Sequence, residues 1–163
     1  MKEVSRAARF GILLLATAMA ACSGGAPATF TLNSASVDSL HACPVSAKDA
    51  SYALHATIDV RNGTSSIVTI KSVTAQMTLT AIKGSWLQKV GDTYEAFAWN
   101  FSPDAVSAGR SSALKIEIPS ACTSGRTPSV ESSSGEYSVE LTVITSSGTY
   151  KIASKNRHRI LAG

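Results

Sequence analysis

The chain is poor in charge and in aromatic rings: charged residues make up 16% of it and aromatic residues 6%. Its 11 acidic residues are scattered, and no pair of carboxylates is set out for acid–base work. No Gly-x-Ser-x-Gly elbow, His-Glu-x-x-His pair or glycine-rich phosphate loop occurs, so the common hydrolase, zinc-protease and nucleotide-binding signatures are excluded. No Cys-x-x-Cys occurs, and no basic face of the kind that binds nucleic acid. The longest uncharged apolar run, Phe10 to Ala21, is short of the ~20 residues that span a bilayer as a helix. Beyond that run no helical period is sustained and no repeat is visible. The composition predicts a non-catalytic, single monomeric domain.

What is there begins at the N-terminus, "MKEVSRAARFGILLLATAMAACSGGAPA". Lys2, Arg6 and Arg9, opposed by Glu3, precede the apolar run. This is the layout of an export signal. Part of the formal charge of +4 therefore sits in a leader that is removed. The segment Met19-Ala20-Ala21-Cys22 resembles the lipobox of bacterial lipoproteins, with methionine where leucine is usual. The resemblance implies cleavage before Cys22, acylation of Cys22 and attachment to a bacterial cell or outer membrane. "SGGAPA" behind it has the composition of a flexible tether. The alternative is ordinary cleavage after Ala20 or Ala28 and release as a soluble secreted or periplasmic protein. The expected organisation is a signal peptide over 1–21, a tether over 22–28 and one domain over 29–163.

An exported chain with three cysteines, Cys22, Cys43 and Cys122, has one too many for a pair. Acylation of Cys22 leaves Cys43 and Cys122, 79 positions apart, free to form a disulfide outside the cytoplasm. Both lie near prolines, in "HACPVSA" and "IPSACTS", so the expectation is a loop-to-loop staple at one end of the domain, unlike the buried bridge of antibody domains. The competing use of "HAC" is a metal or thiol site with His41 and Cys43 as ligands, or as a nucleophile pair. That set is short of ligands, since His55 and His158 are far away in sequence. The C-terminal basic residues Lys151, Lys155, Arg157 and Arg159 are compatible with a polyanion such as lipid headgroups or wall polymers, but read more simply as the solvated face of a final strand and tail.

After the tether nearly everything alternates with period two. "SYALHATIDV" puts Tyr52, Leu54, Ala56, Ile58 and Val60 on one face and leaves His55 on the wet one. Asn62-Gly63 is a turn signal. Its two formal glycosylation sequons, at Asn62 and Asn100, are read as chance. Val68 and Ile70 alternate at even positions, but Val73, Ala75, Met77 and Leu79 at odd ones, which predicts a bulge or a change of sheet near Lys71-Ser72. "EAFAWNFSP" is expected to bury Phe97, Trp99 and Phe101. "ALKIEIP" is expected to bury Leu114, Ile116 and Ile118 and to stop at Pro119. "EYSVELTVI" and a hairpin into Tyr150 and Ile152 close the pattern, and "FTLNSASV" supplies a first strand. Seven or eight such strands predict an all-β antiparallel sandwich. Val106–Pro119 and Gly135–Val143 resemble segments of the immunoglobulin-like sandwiches of bacterial surface lipoproteins. The resemblance implies a binding or structural module with no cofactor, meeting a surface protein or a glycan. Trp86 and Tyr94, among polar and glycine residues, are the candidate contact residues. Read as a carbohydrate-binding module, the domain would stack a sugar on them. The bland reading folds Trp86 and Leu87 back over the edge of the core.

Overall fold

A computed structural model describes residues 28–44, 49–122 and 133–162. The leader and Cys22 lie outside the described residues. Among the described residues eleven strands follow one another: β1 Phe30–Val37, β2 Leu40–Ala42, β3 Ala50–Asn62, β4 Val68–Lys83, β5 Thr93–Phe97, β6 Asn100–Ser102, β7 Ala105–Val106, β8 Ser111–Cys122, β9 Ser133–Thr145, β10 Thr149–Ala153 and β11 His158–Ala162. Among the described residues no helix is long and apolar enough to cross a membrane.

Two sheets face each other. One has the order β1-β3-β8-β6; the other runs β2-β11-β9-β4-β5, with β10 also on β9 and β7 on β4. All pairings are antiparallel except β11 with β2. The expected all-β sandwich is therefore present, with several more strands than the alternation suggested, because four of them have only two or three residues or lie past the last clear pattern.

The long strands behave as their period dictates. In β3, Leu54, Ile58 and Val60 are fully buried while His55, Thr57 and Asp59 are exposed. In the adjacent β8, Ile118, Ile116 and Leu114 stand beside Leu54, Ala56 and Ile58 and are buried on the same inner face. Val73, Ala75 and Met77 stand opposite Val143, Leu141 and Val139 and bury the other inner face. The register of β4 on β9 shifts between Ile70 and Ser72. The extra residue there exchanges faces, as the change of phase predicted.

Three expectations are corrected. Phe97 and Trp99 are 68% and 59% exposed, and Phe101 is half-buried. The chain changes sheet here: the Ala98 N–H donates to Val73 O in one sheet, and the Trp99 N–H to Glu117 O in the other. Alternation cannot carry through a change of sheet, and Ala96, opposite Ala75, takes the inward position instead of Phe97. Pro119 does not end its strand, for β8 continues to Cys122. β6 covers only Lys115–Glu117, so beyond it that flank of β8 is an edge, where a missing N–H costs no ladder bond. Finally, the C-terminal segment is no tail. β11 follows β10 along the same edge of β9, and His158, Ile160 and Ala162 are buried. Its basic residues are dispersed: Lys151 pairs with Glu140, Arg157 with Glu136, and Arg159 donates to Ser134 Oγ.

Candidate functional site

The β4–β5 connection closes one pole of the sandwich. Gly84 opens it in a left-handed conformation, φ 71°, and the Ser85 N–H donates to Ser133 Oγ. Asp92 closes it, accepting from the Lys89 N–H through Oδ2 and from the Leu79 N–H through its carbonyl. Between them Trp86 turns inward while Leu87 stays 75% exposed. The indole lies directly on Gly135 of β9: a Cβ there would stand 2.7 Å from Trp86 Cε2. Its Nε1–H donates to Tyr137 Oη at 3.2 Å, and the Tyr137 hydroxyl donates in turn to Gln88 Oε1. Burial pushes the Tyr137 hydroxyl pKa up, against the Trp86 hydrogen bond. It therefore stays a protonated donor at neutral pH. Tyr94, at the head of β5, donates to Pro119 O.

These side chains surround a cavity of about 110 Å³ between the two sheets. Trp86, Gln88, Tyr94 and Tyr137 wall it with Met77 and Ser120, the Cys43 side chain reaches it, and no lining residue is charged. The two aromatic residues singled out in the sequence thus meet in one place. Trp86 takes the packed position of the bland reading without leaving the cavity wall, whereas Leu87 does not fold back. Tyr137, Gln88 and Ser120 carried no signal: nothing in an alternating strand or a polar loop says which of its residues faces a gap. Gly135 had one, a glycine at the start of a strand pattern, which marks close approach. Gly135→Ala is expected to expel the indole from its seat. Red-shifted tryptophan emission and easier quenching by iodide check this, and an unchanged spectrum would contradict it.

The disulfide joins Cys43, just past β2, to Cys122 at the end of β8, with Cα atoms 5.8 Å apart. The staple lies at one end of the domain, as expected. It is nevertheless buried and links opposite sheets, because β2 and β8 belong to different ones. Both cysteines also lie at or next to strand ends rather than within open loops.

Two of the three histidines, His55 and His158, far apart in sequence, meet at Asp38. His55 Nδ1 is 2.8 Å from Asp38 Oδ2 on the exposed face. His158 is fully buried. Its Nδ1–H donates to Asp38 O at 2.7 Å, and its Nε2 accepts from Tyr52 Oη at 2.9 Å. The carbonyl can only accept, which fixes the tautomer. Burial pushes the Tyr52 hydroxyl up to about 12, so it remains a donor. His41 stacks on Tyr52 with ring centroids 3.6 Å apart. Desolvation lowers the pKa of His158, and of His41, below 6.5 despite the opposing pull of Asp38. Between the lowered native values and 6.5 the unfolded chain binds protons that the folded chain does not. Stability is therefore full above about pH 6.5 and falls as the pH drops below it. Urea unfolding from pH 7.5 to 5 is expected to show this slope, reduced in His158→Gln; an equal slope in that variant would rule out the buried imidazole as its source.

No protein-family model matches the sequence, and no curated protein matches it. Among solved structures it is similar to the ASH/PapD-like domain of human CEP192 (PapD-like domain 7). The match has 11% identity and a TM-score of 0.27, and covers 93% of this chain and 96% of that one. The class of the protein is that of its own two sheets, a β-sandwich stapled by an inter-sheet disulfide.

Proposed function

We propose that this is a lipid-anchored, non-catalytic domain of the bacterial cell envelope that presents the Trp86–Tyr94 cavity to a neutral partner. One observation carries the reading. The chain enters the domain at the pole where Thr29 O accepts from the Gly63 N–H, while the cavity lies at the other pole, beside Ser120 and the disulfide. Phe30 pairs with Asn62, and Ser120 with Tyr52, on the same strand β3. At ~3.3 Å per residue the two poles are roughly 30 Å apart. An acyl chain on Cys22, followed by the short "SGGAPA" tether, would hold the first pole to the membrane and point the cavity away from it.

An uncharged lining with aromatic walls and amide and hydroxyl groups suits a neutral ring, a sugar face or an aromatic side chain of a surface protein. The carbohydrate reading draws support from Gln88 and Tyr137, polar groups beside the Trp86 ring. A charged ligand would leave water with no counter-charge in the lining.

In a bacterial host, the wild-type chain is expected in the detergent-extracted membrane fraction with a palmitate label, and Cys22→Ser in the soluble fraction without one. Equal partition of the two would sink the anchor. A glycan array with the native domain and Trp86→Ala tests the sugar reading, which fails if the two give the same pattern.

A further inference from the structure

We propose that, when the Cys43–Cys122 bridge is reduced, Cys43, Cys122 and His41 form a three-ligand site for a soft or borderline d10 cation, Zn2+ or Cu+. The ligand atoms of these three residues already lie within 4.8 Å of one another. A tetrahedral site with bonds of ~2.0 Å to nitrogen and ~2.3 Å to sulfur holds its ligand atoms roughly 3.5–4 Å apart. Adjustments of about an ångström, within the reach of side-chain rotation, therefore complete the set. The ligand chemistry is specific as well as close. Two thiolates and an imidazole select Zn2+ or Cu+ over Mg2+ and Ca2+, which require oxygen.

The backbone prepares the arrangement. His41 and Cys43 are two residues apart along an extended segment, so their side chains leave it on the same side. Cys122 approaches from the opposite sheet at the end of β8. The His41 ring is held in plane by stacking on Tyr52, within 5° of parallel. Tyr52 is fixed in turn by its hydrogen bond to the buried His158, itself bound to Asp38 O. A ligand oriented by a chain of packed and hydrogen-bonded neighbours is the usual support of a metal site. The two sulfurs are buried and His41 is half-exposed, so a cation would arrive past the imidazole.

Bridge and cation exclude each other. A dithiol donor breaks the S–S bond, passes two electrons and two protons to the sulfurs and is itself oxidised to a disulfide. The cation then displaces both thiol protons, while the imidazole binds in its neutral form. Reoxidation removes the two thiolates as ligands and expels the cation. Cys43 also borders the aromatic cavity, but the test of the site reads cation binding alone and depends on neither the anchor nor a ligand in the cavity.

The full chain carrying Cys22→Ser has only these two thiols. Reduced with a phosphine that is then removed anaerobically, it is titrated with Co2+ as the probe. The expected result is a thiolate-to-cobalt charge-transfer band that saturates at one equivalent, is bleached by Zn2+ and is absent from the oxidised chain. A Cu+ titration against a coloured chelator decides which cation is held more tightly. Loss of a supporting hydrogen bond alone weakens metal sites by about 10–100-fold, so His41→Ala is expected to weaken Co2+ by at least about tenfold. No band in the reduced chain, or the same titration in His41→Ala, overturns the proposal. So does a band in a reduced chain whose far-ultraviolet circular dichroism has lost its sheet signal, since the ligands would then belong to the unfolded chain.

Discussion

Replacing Cys43 and Cys122 together by alanine is expected to cost about 4 kcal/mol of stability and to lower the melting temperature by roughly 10–20 °C. The bridge closes a loop of 79 positions, and a cross-link of that length removes much of the freedom of the unfolded chain. Its tertiary position adds to this. The two buried sulfurs tie the end of β2 to the end of β8, so the bridge fastens one sheet to the other at the pole where the cavity opens. Alanine is the right replacement, because serine would place two hydroxyls in a buried apolar site and add a second penalty. Calorimetry of the oxidised wild type and the double alanine variant measures the effect. A shift of only a few degrees would show that the unfolded chain holds these segments together without the bond.

Asn62→Ala is expected to destabilise the domain by about 2–4 kcal/mol. Asn62 is fully buried at the far pole. Its amide Nδ2 donates to Ser66 O and to Val106 O, both at 2.8 Å. Its Oδ1 accepts from the Thr64 N–H at 2.9 Å and from Thr64 Oγ1 at 2.7 Å. One side chain thus folds the β3–β4 turn onto itself and ties it to β7. Alanine leaves the buried Val106 carbonyl and the Thr64 N–H without the bonds Asn62 makes to them, though Ser66 O keeps its bond from the Thr64 hydroxyl; unmade bonds of buried groups cost more than made ones contribute. Asn33→Ala at an exposed position of β1, where Oδ1 accepts only from the Thr31 hydroxyl, is the matched control and is expected to cost less than about 0.5 kcal/mol. Urea unfolding compares them; equal losses would mean that the Asn62 network contributes nothing of its own.

Much of the sandwich was legible because burial on one face imposes a period of two. The inward residues of β3, β8 and β9, the bulge in β4 and the turn at Asn62 all follow from local pattern or local turn chemistry. The misreadings share another origin. Phe97 and Trp99 flank a change of sheet, which ends one alternation and starts another without any mark in the residues between. Pro119 pairs with Ala53 of β3 on one flank, while β6 on the other is too short to reach it. β11 has only five residues, with arginine among them, and is recognisable as a strand only by its place between β9 and β2.

The candidate sites divide in the same way. Trp86 and Tyr94 were distinguished by residue type in a polar loop, and His41 with Cys43 by ligand chemistry two positions apart. Of their completing residues, Gln88 lies in the same loop as Trp86, while Tyr137 for the cavity and Cys122 for the cation are contributed by other strands. The meeting of His55 and His158 at Asp38 likewise depends on β2, β3 and β11 running side by side or face to face.

The sequence by itself determined the all-β class and the faces of the long strands, because these depend on solvent contact along one strand. Only the tertiary structure decided that the bridge is buried between sheets, that Trp86 seats on Gly135 and that His41 stands beside two sulfurs. Those are distances between segments far apart in the chain. They are set by strand order and register, which the burial of one face leaves open.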